Sequence, residues 1–531
     1  MTLTASPTLK QTESAPEIQE KTPAAVQRPN RRAVMVSAVL TQLMIVLDLT
    51  IIAIALPHMQ EDLGMTVSQS PWTVTGYSLA FGGLVLFGGR LCAVVGIRRS
   101  YQVGLIGFGI ASLAAGMATS FPVLLAARVA QGCFGALLAP TSQSLLNVTF
   151  TERTERERVF AIFGATGGLG AAVGLLVGGA LTDWFSWRWA LYINILLAAA
   201  ALLIGQRSLP PADQRDRDSR ITDDLSGLVL GCGACFSAVY GLDRAQQTSW
   251  TSTSTVSWLA LGGIAAVLFV VRERFASRPV LPLSMMALPV RAASYATQFV
   301  AGAAQMGAII YLTYYMQNHF GYSPLKSGVV FLPMVLALIA TAIPAGHIIV
   351  PRLGARGTLP LGLAVLAGAF LIFSRMTTES TYEHVALPGL IVFGMGLGLT
   401  MPVTFNSGTR GVDAKRTGLA SAILSAAQQI GGSFGVALMT SYATQHAEDY
   451  VTDHAAQVKA EAMEAMMRAQ ALPQSPTGKQ IIETLKAQLV DRAQIEAYSG
   501  GFTMMMWILA GAATVLVACG IGLSLRRRRR R

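Results

Sequence analysis

Fourteen apolar runs, most of them about 18 to 25 residues long and parted mostly by short polar islands, leave this chain few folds to choose from. A run of that length crosses a hydrocarbon core of about 30 Å as a helix. Inside lipid, only helices and closed barrels satisfy their own backbone groups. The runs fall near 33–56, 72–95, 101–118, 122–148, 159–181, 189–205, 225–242, 254–271, 290–315, 327–350, 359–373, 385–405, 418–442 and 501–525. The composition, 52% hydrophobic and only 13% charged over 531 residues, excludes an ordinary soluble enzyme. The expected fold is an all-α integral membrane protein with fourteen spans.

The charged islands orient it. Arginines gather in every second loop: Arg98 and Arg99; Arg153, Arg156 and Arg158; Arg207 to Arg220; Arg272, Arg274 and Arg278; Arg352 and Arg356; Arg410, Lys415 and Arg416. The intervening short loops hold little more than Arg188, Arg244, Lys326 and Arg375. Short cytoplasmic loops accumulate Lys and Arg, so both termini are expected in the cytoplasm of a multi-pass cell-membrane protein. The net charge of +12 and the tail Arg526 to Arg531 then point to topology and anionic lipid headgroups rather than nucleic acid.

Residues 1–32 read as a disordered cytoplasmic extension, being polar and without an apolar signal region. Residues 443–500 form a long external loop whose Ala- and Met-rich stretch is helix-forming, either an amphipathic hairpin resting on a surface or a solvated one.

The run "GATGGLGAAVGLLVGG" (164–179) has the glycine spacing of a phosphate-binding turn. Such a turn needs a preceding strand, and in mid-membrane it would strand polar backbone groups. Glycines at every third or fourth position instead make a small-residue stripe that admits a close neighbouring helix. Cys232 and Cys235, inside an apolar run, read as small packing residues. No His, Cys and carboxylate set has metal spacing, and no Ser, His and Asp set has a supporting context. No enzyme, metal or cofactor is expected.

Several blocks together resemble the major facilitator superfamily, in particular the fourteen-span drug:proton antiporters of the QacA and EmrB type. They are "LDLTIIAIALP" (47–57), "LLAARVAQGCFGA" (124–136), "GAAVGLLVGGAL" (170–181), "WRWALYIN" (187–194), "QNHFGYSPLKSGVVFLP" (317–333) and "GLASAILSAAQQIGGSFGVAL" (418–438). The resemblance implies two six-helix bundles, 33–206 and 279–525, with two additional spans in 207–278. It implies a substrate cavity between the bundles, and Gly170, Gly174, Gly178 and Gly179 as packing positions of an antiporter motif. The chain departs from the family pattern at "GGRLCAVVGIRRS" (88–100), where Ala93 replaces an aspartate. Leu175 stands in place of a motif proline, and Ala53 where many members carry asparagine. Arg90, Gly96, Arg98 and Arg99 are therefore either parts of a gate or positive-inside anchors.

Asp48 is the carboxylate deepest in any span, and Arg128 lies at a matching depth, both roughly 9 to 14 Å from the outer end at about 1.5 Å per residue. Burial favours a neutral acid and a nearby guanidinium favours the anion. The pair reads either as the proton-coupling site or as a static tie within the first bundle. Thr50, Gln131, Tyr314 and Gln317 are candidates for the substrate cavity; Tyr314 also suits an interfacial anchor and Gln317 a helix-to-helix hydrogen bond. His347 reads as interfacial, and Met504 to Met506 as adaptable packing. The expected activity is efflux of amphipathic drugs or antibiotics in exchange for protons, by a protein that works as a monomer. The alternatives are a dedicated exporter of one natural product and a non-transporting sensor or uncoupled facilitator.

Overall fold

The computed structural model describes residues 30–66, 69, 72–206, 225–276, 279, 281, 285–286, 288–412, 417–468 and 476–529. Most of the expected N-terminal extension, the linker 207–224, Arg278, Lys415, Arg416, Arg530 and Arg531 lie outside these. So do the side chains of Ala53, Arg153, Gly168, Ala171, Leu175, Asp183, His347 and the arginines from 526. Every regular element among the described residues is helical.

Six helices form the first bundle: α1 (Arg31–Asp62), α2 (Trp72–Val95), α3 (Ile97–Gly116), α4 (Phe121–Thr149), α5 (Arg153–Trp184) and α6 (Trp187–Gly205). Their ends follow local chemistry. Asn30 accepts from the Ala33 N–H to cap α1, Ser186 accepts from Arg188 to cap α6, and Pro122 occupies the first turn of α4, where no amide donor is needed. Next come α7 (Leu225–Gln247) and α8 (Thr253–Phe275). α7 lies across the seam of the molecule, touching both α2 and a later helix, whereas α8 packs on α7 and turns Ile264, Val267 and Val271 outward.

The second bundle comprises α9 (Pro289–Tyr314), α10 (Pro324–Val330), α11 (Leu332–Pro344), α12 (Val350–Phe373), α13 (Leu387–Thr409), α14 (Thr417–Arg468) and α15 (Pro476–Arg529). The boundary expected between spans ten and eleven is a kink: α12 bends at Gly354, whose φ of 65° and ψ of 170° suit glycine alone. Gly96, φ 97°, occupies the equivalent turn between α2 and α3. In both turns an arginine follows two residues on, Arg98 and Arg356, an internal repeat that span-by-span reading did not pick out.

Twelve stretches are long and apolar enough to cross a membrane by length and composition. α3 and α5, whose first turns are charged, are not among them yet pack inside the first bundle. The segment expected as an external loop is largely two helical extensions, because α14 and α15 continue 52 and 54 residues without a break. These extensions pair with each other, and His319 Nδ1 lies 3.2 Å from Asp491 Oδ2 where the hairpin leaves the bundle. Met463 and Met467 are 61% and 70% exposed, while Ala462 beside them is buried.

The core of the second bundle is aromatic: Phe370, Phe373, Phe393 and Phe502 are fully buried and meet edge to face or tilted at 5.5 to 6.2 Å. Such contacts add about 0.5 to 1.5 kcal/mol per pair beyond burial.

Candidate functional site

Asp48 on α1 and Arg128 on α4 meet in the interior of the first bundle, with Nη1 donating to Oδ2 at 2.7 Å and both side chains fully buried. Three further helices complete the site. Asn194 on α6 donates to Asp48 Oδ1 at 2.7 Å, and Gln131 Nε2 donates to the same oxygen at 3.2 Å and to Ser112 Oγ on α3 at 2.8 Å. Arg128 Nε donates to the Thr73 carbonyl on α2 at 3.0 Å, and its guanidinium lies 4.7 Å from the Tyr77 ring.

One carboxylate thus holds donors from α4 and α6, and its arginine holds α2. A lone charge at such depth costs about 2.5 to 3.5 kcal/mol on the insertion scale, and removing one partner of a buried pair costs about 3 to 5 kcal/mol. A change in the charge of Asp48 therefore acts on how several helices of this bundle are held together.

Sequence reasoning placed Asp48 and Arg128 at matching depth but missed Asn194. It was in view as the last residue of "WRWALYIN", an amide inside an apolar run. Gln131, expected in a substrate cavity, is fully buried within the ionic network. Thr50, likewise expected there, turns its hydroxyl back to the carbonyls of Val46 and Leu47 at 3.3 and 3.0 Å. It sits over Gly174, where a Cβ would overlap its Oγ1. A Cβ on Gly170 would come within 3.1 Å of Val46, and one on Gly178 within 3.0 Å of Ile51; Gly179 is also buried. The stripe on α5 is thus the contact face for α1. Tyr314 is 49% exposed at the end of α9, and Gln317 is half-buried in the π-helical turn that follows.

Arg90 near the end of α2, Gly96 in the turn, and Arg98 and Arg99 in the first turn of α3 sit at the arginine-rich end. Arg98 donates to the Gln206 carbonyl at 3.3 Å, joining the start of α3 to the end of α6, while Arg99 is exposed and Arg90 half-buried.

The two bundles touch along α5, from Glu157 facing Gly346 to Leu176 facing Gly328, a length of about 28 Å at 1.5 Å per residue. Between them the Phe163 and Phe405 rings meet edge to face at 5.9 Å. On the other side, Gly89 of α2 lies against Ala422 of α14, and Gln143 Nε2 of α4 donates to Ser425 Oγ at 3.2 Å.

Neutral polar side chains recur on α4, α9 and α13. Thr404 donates to Gln298 Oε1, while Gln298 Nε2, Gln143 Oε1 and Asn406 Oδ1 are buried without a hydrogen-bond partner among the described residues. Unmet hydrogen-bonding capacity of this kind is expensive unless a ligand or water meets it. These amides were visible inside apolar runs, but nothing in the sequence says that Gln143 reaches across the seam or that Gln298 meets Thr404. Among the described residues no group of three or more His, Cys, Asp or Glu is placed to hold a metal ion.

A family model described as Major Facilitator Superfamily matches residues 38–436. The chain is 39% identical to the puromycin resistance protein pur8 of Streptomyces alboniger, over 81% of this chain and 86% of that one. It is 31% identical to the tetracenomycin C resistance and export protein of Streptomyces glaucescens, over 79% of this chain and 77% of that one. Among solved structures, the human organic anion transporter MFSD10 (TETRAN) has the same fold, with a TM-score of 0.54 and 16% identity over 91% of this chain and 100% of that one.

Proposed function

This chain belongs to the Major Facilitator Superfamily, and on that premise we propose that it exports amphipathic antibiotics or drugs across the plasma membrane in exchange for protons. The observation that carries the coupling is Asp48, a buried carboxylate whose two oxygens accept from three side chains on two other helices. Protonation would remove the anion that holds Arg128, Gln131 and Asn194, loosening α1 from α4 and α6. Deprotonation would draw them together again. Alternating access follows if the seam along α5 opens first at one end and then at the other. A proton moving down 100 mV carries about 2.3 kcal/mol, enough for a modest gradient of exported compound.

In this reading the chain crosses the membrane fourteen times, works as a monomer, and holds both termini and the arginine-rich loops in the cytoplasm. The amides Gln143, Gln298 and Asn406 offer hydrogen bonds to a substrate whose apolar part rests on neighbours such as Phe163 and Phe405. Export of one natural product is the second reading, favoured by similarity to a puromycin resistance protein and a tetracenomycin C exporter.

Purified protein in liposomes carrying a pH gradient tests both. Puromycin, followed by a set of lipophilic cations, should dissipate the gradient in wild type, and Asp48→Asn should slow this at least tenfold. Response to puromycin alone selects the dedicated exporter. Equal substrate flux in both proteins with no proton signal would overturn the coupling, and no flux at all would favour a sensor.

A further inference from the structure

At the arginine-rich end of the second bundle, the first turns of α9, the part of α12 that follows its kink and the last turns of α15 line a narrow groove of about 50 Å³. Val290, Ala293, Leu359, Leu516 and Cys519 make its walls apolar, and among the described residues Arg356 is the one charged residue lining it. The kink at Gly354 sets this geometry. The backbone breaks there and resumes as helix, which places Arg356 in the first resumed turn, among the residues that line the groove. Cys519 is exposed and Leu516 half-buried, so the α15 wall lies on the outer surface of the bundle and not in the seam between bundles.

We propose that this groove is a site for an anionic glycerophospholipid, with an acyl chain along the apolar walls and the phosphate on the Arg356 guanidinium. Charge complementarity selects that occupant. Among the described residues no carboxylate lines the groove, Arg352 is exposed just before the break at Gly354, and the positive end of the α9 dipole opens toward Pro289 and Val290. α15 continues as helix to Arg529, carrying the arginine run that starts at Arg526 about 9 Å beyond Gly520 at 1.5 Å per residue. These features meet where α9 begins and the apolar part of α15 ends, which is the depth of lipid headgroups. Basic pockets between spanning helices on the cytoplasmic side are suited to such headgroups. A lipophilic cation would fit the walls but be repelled by the arginines. The site rests on the membrane orientation proposed above, but not on proton coupling or the identity of the exported compound.

Titration of the detergent-purified full chain with phosphatidylglycerol or phosphatidylcholine, read by native mass spectrometry, tests it. Phosphatidylglycerol should be retained preferentially and should slow maleimide labelling of Cys519. Arg356→Gln and Ala293→Trp should each weaken the first bound phosphatidylglycerol about tenfold, or 1.4 kcal/mol, and leave phosphatidylcholine retention and the melting temperature unchanged. Inorganic phosphate should not protect Cys519. The proposal is overturned if Ala293→Trp binds phosphatidylglycerol as wild type does. It is also overturned if changing Arg526 to Arg531 to Gln abolishes binding that both groove variants preserve, since the tail alone would then account for it.

Discussion

In the N-terminal bundle Gly132 lets α4 press onto the backbone of α2, with the Phe81 amide 3.1 Å from where a Cβ would stand. In the C-terminal bundle Gly398 does the same for α13 against α11, with the Ala342 amide at 3.0 Å. The helix contacts match, but the chemistry beside them does not. The first bundle buries Asp48 and Arg128 at its centre, whereas the buried polar side chains of the second, among the described residues, are hydroxyls and amides apart from Arg291 at one end. Arg291 donates to the backbone carbonyls of Met285 and Arg410 and so ties α9 to the end of α13. Removing one partner of a buried ion pair leaves an uncompensated charge and is costly, while neutral amides lose less when they exchange partners. A half centred on buried charge and a half centred on neutral amides therefore share one helical plan.

The sharpest way to break this contrast is to remove one polar partner from each bundle and compare melting in one detergent. Arg128→Met leaves Asp48 buried without its cation and should cost about 3 to 5 kcal/mol. Gln298→Leu should cost about 1 kcal/mol. Adding Asp48→Asn to Arg128→Met should recover most of the loss. Equal melting of the two single variants would end the distinction.

A smaller effect probes what the bundles share. Gly96→Ala and Gly354→Ala each force an L residue into a glycine conformation and should cost about 1 to 3 kcal/mol. A Cβ at Gly354 would meet nothing within 4 Å, so its cost is backbone strain alone. A loss at only one of the two positions would show that the turns are not equivalent.

The smallest effect separates buried from exposed charge within the first bundle. Asp62 at the end of α1 is paired with Arg188 and accepts from the Trp187 indole, and these hydrogen bonds hold its carboxyl below the usual carboxylate range. A depressed pKa gives stability that is present above the unfolded value, about 3.9, and is lost as pH falls through the folded value. With Arg188 31% and Asp62 47% exposed, the pair should contribute less than about 1 kcal/mol. Asp62→Asn should melt slightly below wild type at pH 7, and the gap should close below about pH 4. A gap that persists in acid would show that packing, not charge, is responsible.

Span lengths, the arginine-rich alternation, the glycine stripe on α5 and the depth of Asp48 were all legible along the chain, because insertion cost, helical rise and side-chain size are local properties. The membership of the site was only half legible. Asp48 and Arg128 stand out because a charge in lipid is costly wherever it sits. Asn194 and the other buried amides do not, since an amide in a span is unremarkable until a partner is known. Thr50 turned toward Gly174 rather than a cavity because the α1 and α5 crossing decides which face of α1 is covered. The hairpin continues α14 and α15 because each helix finds a partner in the other, and polarity alone could not distinguish that from a loop. Sequence by itself determined which stretches are apolar enough to cross a membrane and which charges need company. Tertiary structure alone decided which groups supply that company, because the direction of a side chain across a helix interface depends on the crossing of two distant segments.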